Sequence, residues 1–221
     1  MFTGLIRTLG TIRRVDQRGD CMVTIAMADP FAVEVGDSIA CHGICLTATK
    51  VNDNEFKVAL SAETLARSTA KDWAVGTRIN LEPSLRMGDT IGGHLVYGHI
   101  DGVARVVAAE QSGDSMIWEF EVPPALAKFI APKGSVTLDG VSLTVNAVRE
   151  VPGARCQVPG PNDAATTAGT RNLEPGTSFA INIIPHTAQM TSFGSLRVGD
   201  FVNLEVDMLA RYVARMMEAR A

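Results

Sequence analysis

Ser38-Ile39-Ala40-Cys41-His42-Gly43-Ile44-Cys45-Leu46-Thr47 returns later in the chain as Ser135-Val136-Thr137-Leu138-Asp139-Gly140-Val141-Ser142-Leu143-Thr144, with the leading Ser, the Gly, the Leu and the closing Thr identical. Two further blocks keep the same order. Upstream, Gly4-Leu5-Ile6 lies over Gly98-His99-Ile100, and apolar positions stay in step as far as Ile12 and Val106. Downstream, residues 56–82 lie over residues 179–205, matching Phe56 with Phe179, Thr64 with Thr187, Val75-Gly76 with Val198-Gly199 and Asn80-Leu81-Glu82 with Asn203-Leu204-Glu205. Three collinear blocks mean duplication. A period of about 95 residues is far longer than a solenoid repeat and suits two copies of a small domain. The expected units are residues 1–93 and 94–206, followed by a terminal segment, 207–221.

Within each copy the apolar residues alternate as in strands. Val136 and Leu138 precede Asp139-Gly140, after which Val141, Leu143 and Val145 resume on the other parity, as expected of a bulge or a sharp turn. Ile39 and Cys41, then His42-Gly43, then Ile44 and Leu46 do the same in the first copy. Turn signals at Gly19-Asp20, Asn52-Asp53-Asn54 and Gly92-Gly93 fit a small all-β barrel or sandwich. Short helices are expected at 62–69 and 124–129, and an amphipathic helix at 208–219, where Met208, Tyr212, Val213 and Met216 share a face. The second copy carries about 26 extra residues between Arg149 and Ser178, rich in Pro, Gly, Ala and Thr, which read as a long hairpin loop at about 150–177.

The 221 residues are 46% hydrophobic and 20% charged with net charge −4, a balance that gives no electrostatic reason to bind nucleic acid or an anionic membrane. No apolar run approaches a membrane span, and Met1-Phe2-Thr3-Gly4 lacks the basic, then apolar, pattern of a secretory leader, so a cytoplasmic protein is expected. Cys21, Cys41, Cys45 and Cys156 are too sparse for a disulfide framework.

Cys41, His42, Cys45, His94 and His99 invite a zinc reading, but no C-x2-C is present and His42 should face away from Cys41 on a regular strand, so no metal site is expected. Cys45 as a nucleophile has no base assigned by the sequence. Residues 88–102 are glycine-rich, lack the Lys-Ser/Thr ending of a phosphate loop, and read as a flexible connection. More informative is what the copies share: Thr47 and Thr144, small polar atoms at Cys45 and Ser142, and Thr64 and Thr187. Such uncharged donors and acceptors suit a neutral, planar heterocycle in each copy. The copies part at His42 against Asp139, Cys45 against Ser142 and Glu63 against His186, as two molecules of one compound in different chemical roles require.

These motifs, with Gly92-Gly93-His94-Leu95-Val96-Tyr97-Gly98-His99-Ile100-Asp101-Gly102 and Ile184-Pro185-His186-Thr187, resemble the riboflavin synthase family of duplicated lumazine-binding proteins, from Met1 to about Arg215. The resemblance implies a mainly β fold, two similar six-stranded Greek-key β-barrels in tandem plus a C-terminal helix that assembles a homotrimer. It implies that two molecules of 6,7-dimethyl-8-ribityllumazine exchange a four-carbon unit, giving riboflavin and 5-amino-6-ribitylamino-uracil, with no metal or organic cofactor. The catalytic site is then expected where the N-terminal barrel of one subunit faces the C-terminal barrel of its neighbour; association with lumazine synthase stays open. A non-catalytic lumazine or flavin carrier of the same family is the alternative, and its mark would be erosion of one pocket.

Carried over by position, the resemblance puts Gly4, Leu5, Ile6, Cys45, Leu46, Thr47, Ala59, Leu60, Ser61, Ala62, Glu63 and Thr64 in a first pocket. It puts Gly98, His99, Ile100, Lys133, Ser142, Leu143, Thr144, Asn182, Ile183, Ile184, Pro185, His186 and Thr187 in a second. His99 and Ser142 are the expected helpers of proton transfer or water activation, with Cys45 and Thr47 orienting the partner ring. His42 stands where the family usually has Asn, and Ala62 where it often has Pro, which puts the first pocket's backbone contacts in question.

Overall fold

The computed structural model describes residues 1–17, 21–151 and 176–220. Strands β1 (Thr8–Asp16), β2 (Cys21–Met27), β3 (Ser38–Cys41), β4 (Ile44–Asn52), β5 (Glu55–Leu60) and β6 (Arg78–Pro83) form one closed barrel in the order β1-β2-β5-β4-β3-β6. Strands β7 (Gly102–Ser112), β8 (Ser115–Val122), β9 (Ser135–Leu138), β10 (Val141–Val151), β11 (Gly176–Ile183) and β12 (Phe201–Val206) repeat that order around a second closed barrel. Neighbouring strands run antiparallel, and β2 lies beside β5 rather than β3, a Greek-key arrangement. Closure leaves neither sheet with an open edge.

Period-two burial makes the strands. Phe56, Val58 and Leu60 of β5 point into the first core with Ile12, Ile25, Ile79 and Leu81, while Phe120 and Phe179 stack at 5.6 Å between ring centres in the second. Bulges recur at equivalent places, between Ile12 and Arg14 and between Val106 and Ala108, then between Ala48 and Lys50 and between Val145 and Ala147. The parity change at the two central blocks is a tight hairpin: His42 and Gly43 have φ of 53° and 82°, and Asp139 and Gly140 have 47° and 83°. Positive φ at both central residues is the two-residue turn whose twist suits antiparallel strands.

These two turns meet each other and lock the barrels together. A Cβ on Gly43 would come within 2.6 Å of the Gly140 nitrogen, so only glycine permits the contact. Around it the repeated asparagines act reciprocally. Asn80 donates to the Asp139 carbonyl at 2.9 Å and accepts from the Ser192 amide at 2.7 Å; Asn203 donates to the His42 carbonyl at 2.9 Å and accepts from the Thr69 amide at 2.7 Å. His42 Nδ1 accepts the Asn80 amide, which leaves Nε2–H to face the Asp139 carboxylate at 3.3 Å. Burial pushes the His42 pKa down to about 4 and the Asp139 carboxyl well up, so both are held toward neutrality. The His in place of the family's Asn therefore serves the contact between barrels.

Helices α1 (Ala62–Arg67) and α3 (Pro185–Met190) occupy equivalent places, α2 (Pro124–Ala127) is one turn, and α4 (Met208–Glu218) closes the chain. Residues 59–64 and 182–187 are thus strand ends turning into helices: β5 stops at Leu60 and β11 at Ile183. Ser61 caps α1, its hydroxyl accepting the Thr64 amide at 3.1 Å, which breaks the strand and supplies an N-cap. The expected loop at about 150–177 falls mostly outside the described residues. Among the described residues no helix is long and apolar enough to cross a membrane.

Candidate functional site

Of residues 88–102, expected to be a flexible connection, 88–92 are exposed and the stretch from Gly93 onward is packed in place. Phe2 and Val96 exchange backbone hydrogen bonds of 2.7 and 3.0 Å, and a Cβ on Gly93 would meet the Thr3 carbonyl at 2.1 Å. The segment leading into each barrel then crosses to the other barrel. The Ser142 amide of β10 donates to the Gly4 carbonyl at 2.9 Å, and the Cys45 amide of β4 donates to the Gly98 carbonyl at 2.8 Å. Ile6 packs against the second core and Ile100 against the first.

This exchange changes the expected grouping. Gly4, Leu5 and Ile6 stand with Ser142, Leu143 and Thr144, and Gly98, His99 and Ile100 stand with Cys45, Leu46 and Thr47. The reason is steric and conformational. Gly4 and Gly98 have φ of 77° and 75°, and a Cβ on either would sit 2.6 Å from the Ser142 or Cys45 nitrogen, so each glycine lets its segment lie flat on a strand of the opposite barrel.

The Glu of each Asn-Leu-Glu block holds the segment down. Glu82 accepts the Thr3 amide and hydroxyl at 2.7 and 2.8 Å and the Gly4 amide at 3.0 Å; Glu205 accepts the Tyr97 and Gly98 amides at 2.7 and 2.9 Å. Burial raises both carboxyls against the pull of these amides, Glu205 to about 7, with the nearby Asp101 charge adding to the rise.

Side-chain direction separates the expected residues. Leu46, Leu60 and Ile183 are buried in the cores, so only their backbone can face a ligand. Thr47, Ala59, Ser61, Ala62, Glu63 and His99 are exposed around the first edge; Leu5, Thr144, Asn182, Ile184, Pro185 and His186 are exposed around the second. Lys133 is exposed in the turn before β9 with φ of 68°, its amide donating to the Val145 carbonyl at 2.7 Å. Leu5 and Ile184, each 52% exposed, are apolar groups of the kind a ring would cover. A cleft of about 500 Å³ between Arg78 and the turn after α3 includes Pro185 but none of the Cys45 or Ser142 strand residues.

The polar partner of Ser142 is His94, and His99 lies with the Cys45 edge instead. His94 Nδ1 is 2.7 Å from the Ser142 hydroxyl and Nε2 is 3.1 Å from the buried Thr137 hydroxyl. Desolvation outweighs the Asp207 charge and lowers the His94 pKa, favouring the neutral ring. One nitrogen of a neutral ring donates and the other accepts, so Thr137, His94 and Ser142 form a relay that can take a proton from, or return one to, a group beside Ser142. Cys45 packs against Phe2, Ala40 and Val96. The asymmetry between the edges thus includes an imidazole. Its sequence signal was weak, since His94 has no repeat partner to mark it.

Residues 3–84 and 97–207 both match the lumazine binding domain model. The chain is 39% identical over 225 residues to riboflavin synthase of Brucella abortus, covering 99% of this chain and 98% of that protein. It is 38% identical to riboflavin synthase of Photobacterium phosphoreum, covering 98% and 89%, and 34% identical to that of Mycobacterium tuberculosis, covering 99% of each. Among solved structures it is similar to LumP complexed with riboflavin, at TM-score 0.72 and 21% identity over 94% of this chain and all of that one. LumP complexed with 6,7-dimethyl-8-(1'-D-ribityl) lumazine gives a TM-score of 0.70 at 20% identity, over 94% and 99%.

Proposed function

The chain belongs to the riboflavin synthase family, and from that premise we propose that it converts two molecules of 6,7-dimethyl-8-ribityllumazine into riboflavin and 5-amino-6-ribitylamino-uracil by transfer of a four-carbon unit. The observation that carries this reading is the retention of two built edges, each a Leu-Thr strand, a crossed glycine segment and a helix start, of which only one has an imidazole relay. A carrier needs one such edge; a dismutation needs two that differ.

Each ring lies over its strand, with uncharged amides and hydroxyls meeting the pteridine, so much of the rate comes from holding two rings in register. At the second edge Ser142, polarised by His94, moves the proton or activates the water that the exchange requires. At the first, Cys45, Thr47 and His99 orient the other ring. The working pair joins the first edge of one subunit to the second edge of its neighbour in a homotrimer. The exposed Leu209, Tyr212, Val213, Met216 and Met217 on α4 support assembly through that helix. A cytoplasmic setting fits Cys21, Cys41 and Cys45, which are free thiols.

The test is incubation with 6,7-dimethyl-8-ribityllumazine alone. One riboflavin should form for every two lumazines consumed, together with the pyrimidine; tight binding without product would return the carrier reading.

A further inference from the structure

The two crossed segments are held by different means. Residues 3–7 are anchored by Glu82, and the next side chain, Arg7, pairs with Asp29 at 3.0 Å on the open surface. Residues 97–101 are anchored by Glu205 and, beyond it, by Asp101, which stands where the first copy has Arg7. The Asp101 amide donates to the Leu204 carbonyl at 2.9 Å, as the Arg7 amide does to the Leu81 carbonyl at 2.9 Å; the difference lies in the Asp101 carboxylate, which accepts the Val206 amide at 2.9 Å. The other carboxylate oxygen accepts Arg211 of α4. The Asp101 side chain is only 10% exposed and that of Arg211 40%, so the carboxylate end of this pair is sheltered from solvent, unlike either end of Arg7 with Asp29. The Arg211 guanidinium also lies 6.0 Å from the centre of the Phe129 ring, and Lys128 pairs with Glu218 near the far end of the helix. One side of α4 is thus seated on the second barrel while its apolar side is exposed.

Resting on the lumazine reading above, we infer that Asp101 and Arg211 are positioning residues: they tie the C-terminal helix to residues 98–100 and so place that segment on the Cys45 strand of the first-barrel lumazine site. Seating of α4 and readiness of the first site are then one event, whereas residues 3–7 of the second site are held by Glu82, by the Arg7 amide on the Leu81 carbonyl and by the Phe2–Val96 pair, none of which involves Arg211. Without Arg211, Asp101 is left as a sheltered carboxylate with a single amide donor, and the loop relaxes to hydrate it.

The experiment compares Arg211→Met and Asp101→Asn with the wild type in the full-length protein, with solution mass as a control. In the ligand-free protein, amide hydrogen exchange at residues 97–101 should quicken about tenfold in Arg211→Met, with residues 3–7 unchanged. Lumazine titration in a Gly4→Ala background reads the first site, and in a Gly98→Ala background the second. First-site affinity should fall about tenfold and second-site affinity should hold, with Arg211→Lys recovering part of the loss. Unchanged exchange at 97–101, or equal loss at both sites, would overturn the inference. A wild type that binds no lumazine would overturn the functional reading instead, and the exchange comparison would still decide the tether.

Discussion

Gly98→Ala should close the first-barrel site although residue 98 precedes the second barrel in sequence. The φ of 75° costs a side-chain-bearing residue about 1–2 kcal/mol. The new Cβ would sit 2.6 Å from both the nitrogen and the Cβ of Cys45, and the backbone nitrogen belongs to a barrel strand that cannot retreat. The segment must lift, and the 2.8 Å bond from the Cys45 amide to the Gly98 carbonyl is lost, adding about 1 kcal/mol. Together these amount to about 2–3 kcal/mol, or roughly 30- to 150-fold weaker binding at the Cys45 edge. The ladder of each barrel is untouched, so the protein should fold. Calorimetric titration with lumazine should report a fall from two sites to one per chain, and riboflavin formation should fail. Gly4→Ala, whose Cβ would meet the Ser142 nitrogen at 2.6 Å, should remove the other site. If Gly98→Ala weakened binding at the Ser142 edge and spared the Cys45 edge, the crossed arrangement would be refuted.

His94→Gln should lower kcat by about 10²–10⁴-fold, the range for a lost general acid–base group, with little change in lumazine affinity. Because desolvation lowers the His94 pKa, the acid limb of the wild-type kcat/KM profile should lie below pH 6.5 and vanish in the variant; a persisting limb would clear His94 of the role. Glu205 ties stability to pH. Its folded pKa of about 7 is raised from 4.5, so its contribution is fully present below pH 4.5 and is lost as pH rises through 7. At about 1.4 kcal/mol per unit, the wild type should lose about 3 kcal/mol relative to Glu205→Gln between pH 4.5 and pH 8 in urea unfolding. A pH-independent difference would show that burial does not govern this carboxyl.

Much of the fold was legible because duplication marks itself. The Ser-to-Thr blocks, the parity change at Asp139-Gly140 and the C-terminal amphipathic run predict the hairpins and the helix found. What was not legible depends on contacts between the copies. Aligning Gly4 with Gly98 says that the two segments are alike, and nothing in that alignment says that each crosses to the opposite barrel; only φ and the approach to Ser142 or Cys45 reveal it. The identity of Asn80 with Asn203 and Glu82 with Glu205 was visible, but their work across the barrel contact and beneath the crossed segments was not. The helix at 62–67 is legible from its sequence, whereas its counterpart at 185–190, started by Pro185, is not among the expected helices. The pairing of His94 with Ser142 is not legible in the repeat, because His94 has no equivalent position in the other copy.

The central claim is that two unlike lumazine sites on one chain become a catalytic pair between neighbouring subunits. Gly98→Ala and Gly4→Ala proteins, each inactive alone, can be unfolded together and reassembled one to one. If the pair spans subunits, a Gly4→Ala subunit supplies its intact first site and a Gly98→Ala neighbour its intact second site. Roughly a quarter of wild-type riboflavin formation should return on random cyclic assembly. A reassembled mixture as inactive as its parents, with the oligomer mass restored, would contradict the account.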